Sequence, residues 1–258
     1  MDETLTFLGA AGARIMVANQ IVPSGGLWLN LNGTHILLDP GPGTIVQSTK
    51  RKLRGEKLSA IILSHRHLDH SGDTNIMVEA MTQGGFKKHG WFFAPSDALG
   101  EEPVLFSYLR AFLDGVTIIE EGGAYSIGGV EFTTPVRHIH PVETYGIRFN
   151  TGAHTFSYIA DTLYFDGIIQ HYKADLLIIN VLFVEPIPTV QHLILADAEH
   201  IISTLKPKAA ILSHFGMSMW RAHPWELAER LTQQTGVRVL AARAGMMFDL
   251  AELDGVKS

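Results

Sequence analysis

The apolar positions of the first forty residues fall into short blocks: Leu5–Leu8, Leu27–Leu31 and His35–Leu38, separated by turn-forming residues. Blocks of this length, bounded by glycine-rich turns, predict strands rather than helices. The Gly-Ala-Ala-Gly run at 9–12 reads as a turn, and Asn32-Gly33 is a two-residue hairpin signal because both residues tolerate positive φ. No regular element can continue through Asp39-Pro40-Gly41-Pro42-Gly43.

A change of pattern follows. Leu58–Leu63 is a β-rich apolar run that stops at Ser64. Asp73 is placed to cap a helix running to Met81, with Ile76, Met77 and Ala80 on one face and Gly84-Gly85 as its stop. Strands are expected at Val116–Ile119, Val130–Thr133, Tyr145–Phe149, Thr155–Ile159 and Leu176–Ile179. A helix is expected over Val190–Leu205, striped by Ile194, Ala198, Ile201 and Leu205. The strand Ala209–Leu212 then ends at Ser213-His214; a helix with proline in its first turn covers Pro224–Gln234, and a last strand Val237–Leu240. No repeat, linker or low-complexity stretch divides residues 1–258, so a single domain is expected. Two similar halves, each of strands followed by strand–helix units, suggest an α/β protein with two sheets face to face and helices outside.

Composition narrows the chemistry. There are no cysteines, which removes disulfides, thiolate zinc sites and cysteine nucleophiles together. The net charge of −6 is opposite to the basic stripe of a protein that grips nucleic-acid phosphates. Lys50-Arg51-Lys52 with Arg54 is the only short basic cluster, with Glu56 beside it, and reads as a solvated helix face. The acidic start shows no secretory signal and no run is long enough to span a membrane, so a soluble cytoplasmic protein is expected.

Thirteen histidines are the unusual feature, and their spacing gives them meaning. Residues 64–73 read Ser-His-Arg-His-Leu-Asp-His-Ser-Gly-Asp, on a loop at the carboxyl end of a strand, where open α/β sheets place their sites. His65 and His67, two apart on extended backbone, point to the same side, while Asp69 and His70 turn toward a second position. Imidazole suits zinc, and the carboxylate widens the choice toward manganese or iron. One cation gathers about four ligands, normally from distant segments, so four so close together predict two cations.

His-Arg-His-Leu-Asp-His resembles the His-x-His-x-Asp-His signature of the metallo-β-lactamase superfamily. The resemblance runs along nearly the whole chain: residues 7–14 (FLGAAGAR) and 37–44 (LLDPGPGT) resemble the opening segments of its ribonuclease Z and phosphodiesterase branch. His140-Pro-Val-Glu-Thr-Tyr-Gly-Ile-Arg148 is similar to that branch's third motif, with Ile147 in place of an aromatic residue. Tyr158-Ile-Ala-Asp161-Thr162 is similar to the segment with the bridging aspartate, and Leu212-Ser-His214-Phe-Gly216 to the last histidine strand.

The resemblance implies an αββα sandwich of two mixed sheets. It implies one metal at His65, His67 and His140, a second at Asp69, His70 and His214, and Asp161 between them. His138 competes with His140, although the spacing to Gly146 favours His140. Asp161 has a rival role as a helix cap before Leu163, and His214 as a plain polar strand end. His192, which lies 22 residues before His214 in the helix expected from Val190, matches the histidine that protonates the leaving group, or is simply exposed. His35, His89, His154, His171, His200 and His223 carry no assignment.

The implied activity is hydrolysis by a hydroxide generated on two divalent metal ions, zinc first, with Asp69 orienting it and His192 donating a proton. His67 stands where flavodiiron relatives have glutamate, which favours hydrolysis over redox work. Asp161 follows His140 by only 21 positions, too few for the arm with which ribonuclease Z grips tRNA. A phosphodiesterase on small diesters is therefore the first expectation, a lactonase or thioesterase the second, and RNA 3′-processing the third. A metal-binding protein without catalysis is the reading from another class. Phe106, Tyr108, Phe112, Trp220 and Arg221 are candidate pocket walls or packing residues, and the resemblance is compatible with a homodimer.

Overall fold

In a computed structural model, which describes residues 3–12 and 14–255, the chain forms two mixed sheets. The first half supplies β1 (Thr4–Phe7), α1 (Arg14–Ala18), β2 (Leu27–Leu31), β3 (Thr34–Leu38), α2 (Thr44–Lys50), β4 (Leu58–Ile62), α3 (Leu68–Ser71), α4 (Thr74–Thr82), β5 (Trp91–Ala94) and β6 (Gly115–Ile118). The second supplies β7 (Gly123–Ile127), β8 (Val130–Thr134), β9 (Ile147–Asn150), β10 (Thr155–Ile159), α5 (Gly167–His171), β11 (Leu176–Asn180), α6 (Leu195–Leu205) and β12 (Ala209–Ser213). It closes with α7 (Met217–Arg221), α8 (Pro224–Thr235), β13 (Arg238–Ala241) and β14 (Met247–Asp249).

The strand orders are β14-β1-β2-β3-β4-β5-β6 and β13-β12-β11-β10-β9-β8-β7. Each sheet is antiparallel along one side and parallel along the other, from β3 to β6 in the first and from β10 to β13 in the second. β11 and β12 are buried at every position, as strands covered on both faces must be. Alternation divides the first sheet between two cores. Leu27, Leu29, Leu31, Ile36 and Leu38 face the second sheet's Phe132, Phe149 and Phe156. Trp28, Leu37 and Ile61 face outward onto Met77, Val78 and Met81 of α4. Among the described residues, no helix is long and apolar enough to cross a membrane.

Several expectations shift at their edges. The Asn32-Gly33 hairpin forms with φ of 55° and 88°. α4 buries Met77, Val78 and Met81, not an Ile76–Ala80 face; Ile76 is exposed. Asp73 does not cap it with its side chain. The carboxylate instead accepts from the Gly43 and Ile45 amides, so it caps α2, whose preceding Gly43 has no side chain for the purpose. The basic cluster lies at the carboxyl end of α2 rather than along a face: Lys50 is its last residue, and Arg54 pairs with Glu56 beyond it.

The helix expected from Val190 begins only at Leu195. Ile194 is held extended by a bridge to Phe183, and its amide donates to Asp197, so the preceding residues form a loop. His192 is therefore a loop residue. β5 and β14 are very short, β7 alternates only between half-buried and exposed positions, and all three escaped the pattern. Leu105, Leu109 and Leu113 of the 101–114 segment pack in the outer core, leaving Phe106 and Tyr108 exposed, and Trp220 and Arg221 lie on α7.

One unassigned histidine has a structural role. His154, at the start of β10, donates from Nδ1 to Glu3 (2.8 Å) and from Nε2 to Asp254 (3.0 Å), tying the second sheet to the strand start and the last turn of the first. Burial opposes its charge, but the bonds to Glu3 and Asp254 outweigh it and raise the imidazole above its usual range. A raised folded-state value stabilises fully below the unfolded value of about 6.5 and is lost as pH rises through the folded value. His154→Ala should therefore lower stability by about 1–2 kcal/mol near pH 6. The gap from wild type should narrow as denaturant melts are repeated at rising pH; a gap that widens instead contradicts the clamp.

Candidate metal centre

The parallel strands of both sheets end on the same side of the sandwich, and their carboxyl ends carry the expected site residues. β4 leads into His65, His67, Asp69 and His70; β10 leads into Asp161; β12 leads into His214. His140 arrives on the loop before β9, and His192 on the loop after β11. All eight are brought together.

They form two groups that share no residue, His65 with His67 and His140 and Asp69 with His70, Asp161 and His214, and a third, His140 with Asp161 and His192, that overlaps both. The Nε2 atoms of His65 and His140 each lie 3.1 Å from Nδ1 of His67. In the other group His214 Nε2 lies 3.0 Å from His70 Nε2, 3.2 Å from Asp69 Oδ2 and 3.5 Å from Asp161 Oδ2. The donor atoms within each group are all within 4.8 Å of one another. Asp161 Oδ2 lies 3.4 Å from His70 Nε2 and 3.8 Å from His65 Nε2, so one carboxylate oxygen faces both.

The hydrogen bonds on the far side of each ring decide which nitrogens converge. His140 Nδ1 faces the Gln191 carbonyl (3.0 Å), which only accepts, so that nitrogen carries the proton and Nε2 presents its lone pair. His65 Nδ1 meets Ser64 Oγ (3.0 Å), whose own proton goes to Asp39 Oδ2 (2.6 Å), with the same result. His70 Nδ1 donates to Asp39 Oδ2 (2.9 Å). Imidazoles fixed from behind, with their other nitrogens converging, are the donor set of a divalent cation. His214 Nδ1 is buried with no hydrogen-bond partner among the described residues.

The charges agree. Burial would raise Asp161 and Asp69, but the imidazoles of His214, His192 and His70 around Asp161, and of His70 and His214 around Asp69, hold both carboxyls below their usual range. Burial would likewise lower His70, yet Asp161, Asp69 and Asp39 raise it. The pocket thus favours a positive charge between these groups. Burial lowers His65, His67 and His140, keeping them neutral, the form that ligates.

His138 is not part of either group. It is buried against Tyr172, with Nε2 3.0 Å from the phenol, so the structure places His140 rather than His138 at the centre. Asp161 does not cap a helix before Leu163, since none starts there. Close packing explains two glycine signals: a Cβ at Gly12 would lie 2.3 Å from His214 Nδ1, and one at Gly41 would lie 1.9 Å from the Asp69 carbonyl.

Supporting residues escaped the sequence reading. Asp39 accepts from the Ser64 amide and hydroxyl, from His70 and from Tyr158 Oη (2.9 Å). Asn180 donates to Asp161 Oδ1 and to Tyr158 Oη, both at 3.0 Å. The available signals were a carboxylate just before a Pro-Gly break and a lone polar residue ending an otherwise apolar strand. Trp220 lines a cavity of about 690 Å³ beside α8, together with Phe215, Trp225 and Met246.

Two face-to-face mixed sheets with this His/Asp cluster at their common carboxyl end define a metallo-hydrolase of β-lactamase fold, a fold that implies divalent metal binding. The family model for the β-lactamase superfamily domain matches residues 34–215, and the chain belongs to that family. It is 31% identical over 259 residues to the uncharacterized protein MJ1374 of Methanocaldococcus jannaschii, covering 97% of this chain and 96% of that one. Among solved structures it resembles the metallo-β-lactamase fold protein YhfI of Bacillus subtilis, at TM-score 0.81 and 23% identity over 96% of this chain and 100% of that one. It also resembles a diphosphatase of the PhnP family, at TM-score 0.70 and 22% identity over 95% and 97%. At such identities the structural likeness concerns the fold.

A ligand that binds only the folded state stabilises it by mass action, about 2.7 kcal/mol at a hundredfold excess over Kd. For a chain of this size, saturating zinc should then raise Tm by about 5–10 °C over a chelator-treated sample. Asp39→Ala, which leaves His70 and Ser64 without their acceptor, should show less than half that increment in calorimetry. An undiminished increment would remove Asp39 from the centre.

Proposed function

We propose that this protein is a hydrolase dependent on two divalent cations, zinc being the first choice, and that it cleaves small phosphodiesters. One cation would be held by His65 Nε2, His67 Nδ1 and His140 Nε2, the other by Asp69, His70 and His214, with Asp161 shared. The observation that carries this reading is the position of Asp161 Oδ2, 3.4–3.8 Å from His70, His214 and His65 and so within reach of both groups. Cations held there supply Lewis acidity, ionising water near neutral pH and neutralising charge on a phosphoryl centre.

The remaining chemistry belongs to the protein. Asp69 lies in the second group yet keeps part of its carboxylate exposed, which suits a ligand that also accepts a hydrogen bond from the attacking water. His192 stacks on His214 with ring centroids 5.7 Å apart and stands edge-on to His140, and its Nδ1 is 3.6 Å from Asp161 Oδ2. Burial pushes it down to about 4, so the resting ring is neutral. An anionic diester beside it favours the protonated ring, which then hands its proton to the departing alkoxide.

Small substrates are supported by what fills the interval between His140 and Asp161. β9, β10 and their turn occupy most of it, leaving no segment to form a projecting arm. The acidic balance of the chain points the same way.

Elemental analysis should find about two zinc, manganese or iron atoms per chain. The loaded protein should hydrolyse bis-p-nitrophenyl phosphate faster than a lactone or a thioester. Asp69→Ala should lose about a hundredfold or more in kcat. His192→Ala should slow diesters with poor alkoxide leaving groups far more than p-nitrophenyl esters, which depart without a proton. Preferential turnover of the lactone or thioester would transfer the same site to carbonyl esters. Two bound metals with no turnover of any of these substrates would leave only metal binding.

A further inference from the structure

His138 lies two residues before His140 and outside both groups of donors, yet it is buried and its two ring nitrogens both have partners. Nδ1 lies 3.3 Å from the backbone carbonyl of Asp161, and Nε2 lies 3.0 Å from the hydroxyl of Tyr172. A carbonyl only accepts, so Nδ1 carries the proton, and Nε2 accepts from the phenol. Tyr172 is itself buried directly after α5, packed edge-on against the imidazole with ring centroids 5.5 Å apart.

The same two segments are laced together on either side of this contact. The Ile139 amide donates to Thr162 Oγ1 (3.1 Å), and the Leu163 amide donates to the Ile139 carbonyl (3.0 Å). Thr162 Oγ1 in turn donates to the Leu163 carbonyl (2.7 Å). The loop that delivers His140 and the turn that delivers Asp161 are therefore one braced unit. Within that brace, among the described residues, His138 is the side chain that reaches the backbone of Asp161 itself.

This matters because the Asp161 turn leaves β10 after only Ala160, and its carboxylate is held on the other side by Asn180 at Oδ1. Oδ2, the atom that faces both groups, is aimed by the backbone. A displacement of about 1 Å is enough to impair a site of this kind.

We infer that His138 is a positioning residue: by donating from Nδ1 to the Asp161 carbonyl, it sets the Asp161 turn against His140, so that the shared carboxylate can serve two cations at once. The inference rests on the two-cation reading above. It adds that the loop of the first donor group controls occupancy of the second.

The test uses the full chain in zinc buffers of graded free concentration, with bound zinc measured by elemental analysis and cobalt substitution followed by its visible spectrum. Wild type should take up two cations. His138→Ala should keep the first and bind the second about 10–100-fold more weakly, the usual scale for partners behind metal ligands. His138→Asn, whose amide nitrogen can occupy the Nδ1 position, should restore most of that loss. His138→Gln, whose amide reaches toward the Nε2 position, should not. Tyr172→Phe keeps the donor to Asp161 and should bind both cations nearly as wild type does.

Wild-type affinity for both cations in His138→Ala, or equal behaviour of the Asn and Gln variants, overturns the inference. Should the alanine variant fail to fold, the Asn and Gln pair decides alone. A wild type that saturates with fewer than two cations overturns the two-cation reading itself, and that result is read before any variant is compared.

Discussion

The carboxylate of Asp39 is the interaction on which the rest of the site depends. It sits where β3 breaks off, at φ 51°, a left-handed conformation that aspartate tolerates better than most residues. From there Oδ1 takes the Ser64 amide, while Oδ2 takes the Ser64 hydroxyl, His70 Nδ1 and the Tyr158 phenol. Ser64 lies just past the strand that launches the histidine loop, and Tyr158 belongs to the other sheet. One buried acid therefore joins the two layers at the end where the chemistry lies and fixes the proton positions of His65 and His70 from behind.

A buried carboxylate is tolerable only when its lone pairs are occupied, and the polar groups around Asp39 satisfy it. The same logic extends inward. Asp69 and Asp161 stay ionised because imidazoles surround them, and His70 is drawn toward its charged form because carboxylates surround it. Such a cluster trades stability for a prepared electrostatic environment, since apolar packing of the same volume would need no compensating partners. The parallel strands set this cluster in place. Their carboxyl ends share one side of the sandwich, and the loops there bury His65, His70, Asp161 and His214 among the strand ends that position them.

Much of the site was legible from local spacing. His65, His67, Asp69 and His70 fall on a loop after an apolar strand, and that arrangement depends only on neighbouring residues. The distant members, His140, Asp161 and His214, were implied by the family resemblance; for Asp161 and His214 their places after the 155–159 and 209–212 runs agreed with it. His192 was assigned to a helix because the Ile194–Leu205 stripe continues smoothly at helical spacing; the bridge between Phe183 and Ile194, a contact made across the chain, holds that stretch extended instead. The Asp73 cap went astray similarly. Its side chain finds the Gly43 and Ile45 amides, thirty and twenty-eight residues away, rather than its own helix.

By itself, then, the chain's pattern determined the elements and the cluster of candidate donors, because turn residues, alternation and helical stripes act over a few residues. Tertiary structure turned the preference for His140 over His138 and the implied place of Asp161 between the donor groups into distances, and it alone decided that Asp39, Tyr158 and Asn180 stand behind them. Those outcomes are set by which strand ends meet when two apolar faces close on each other. Hydrophobic burial drives that closure without direction, so only the folded chain shows which polar groups it leaves within reach.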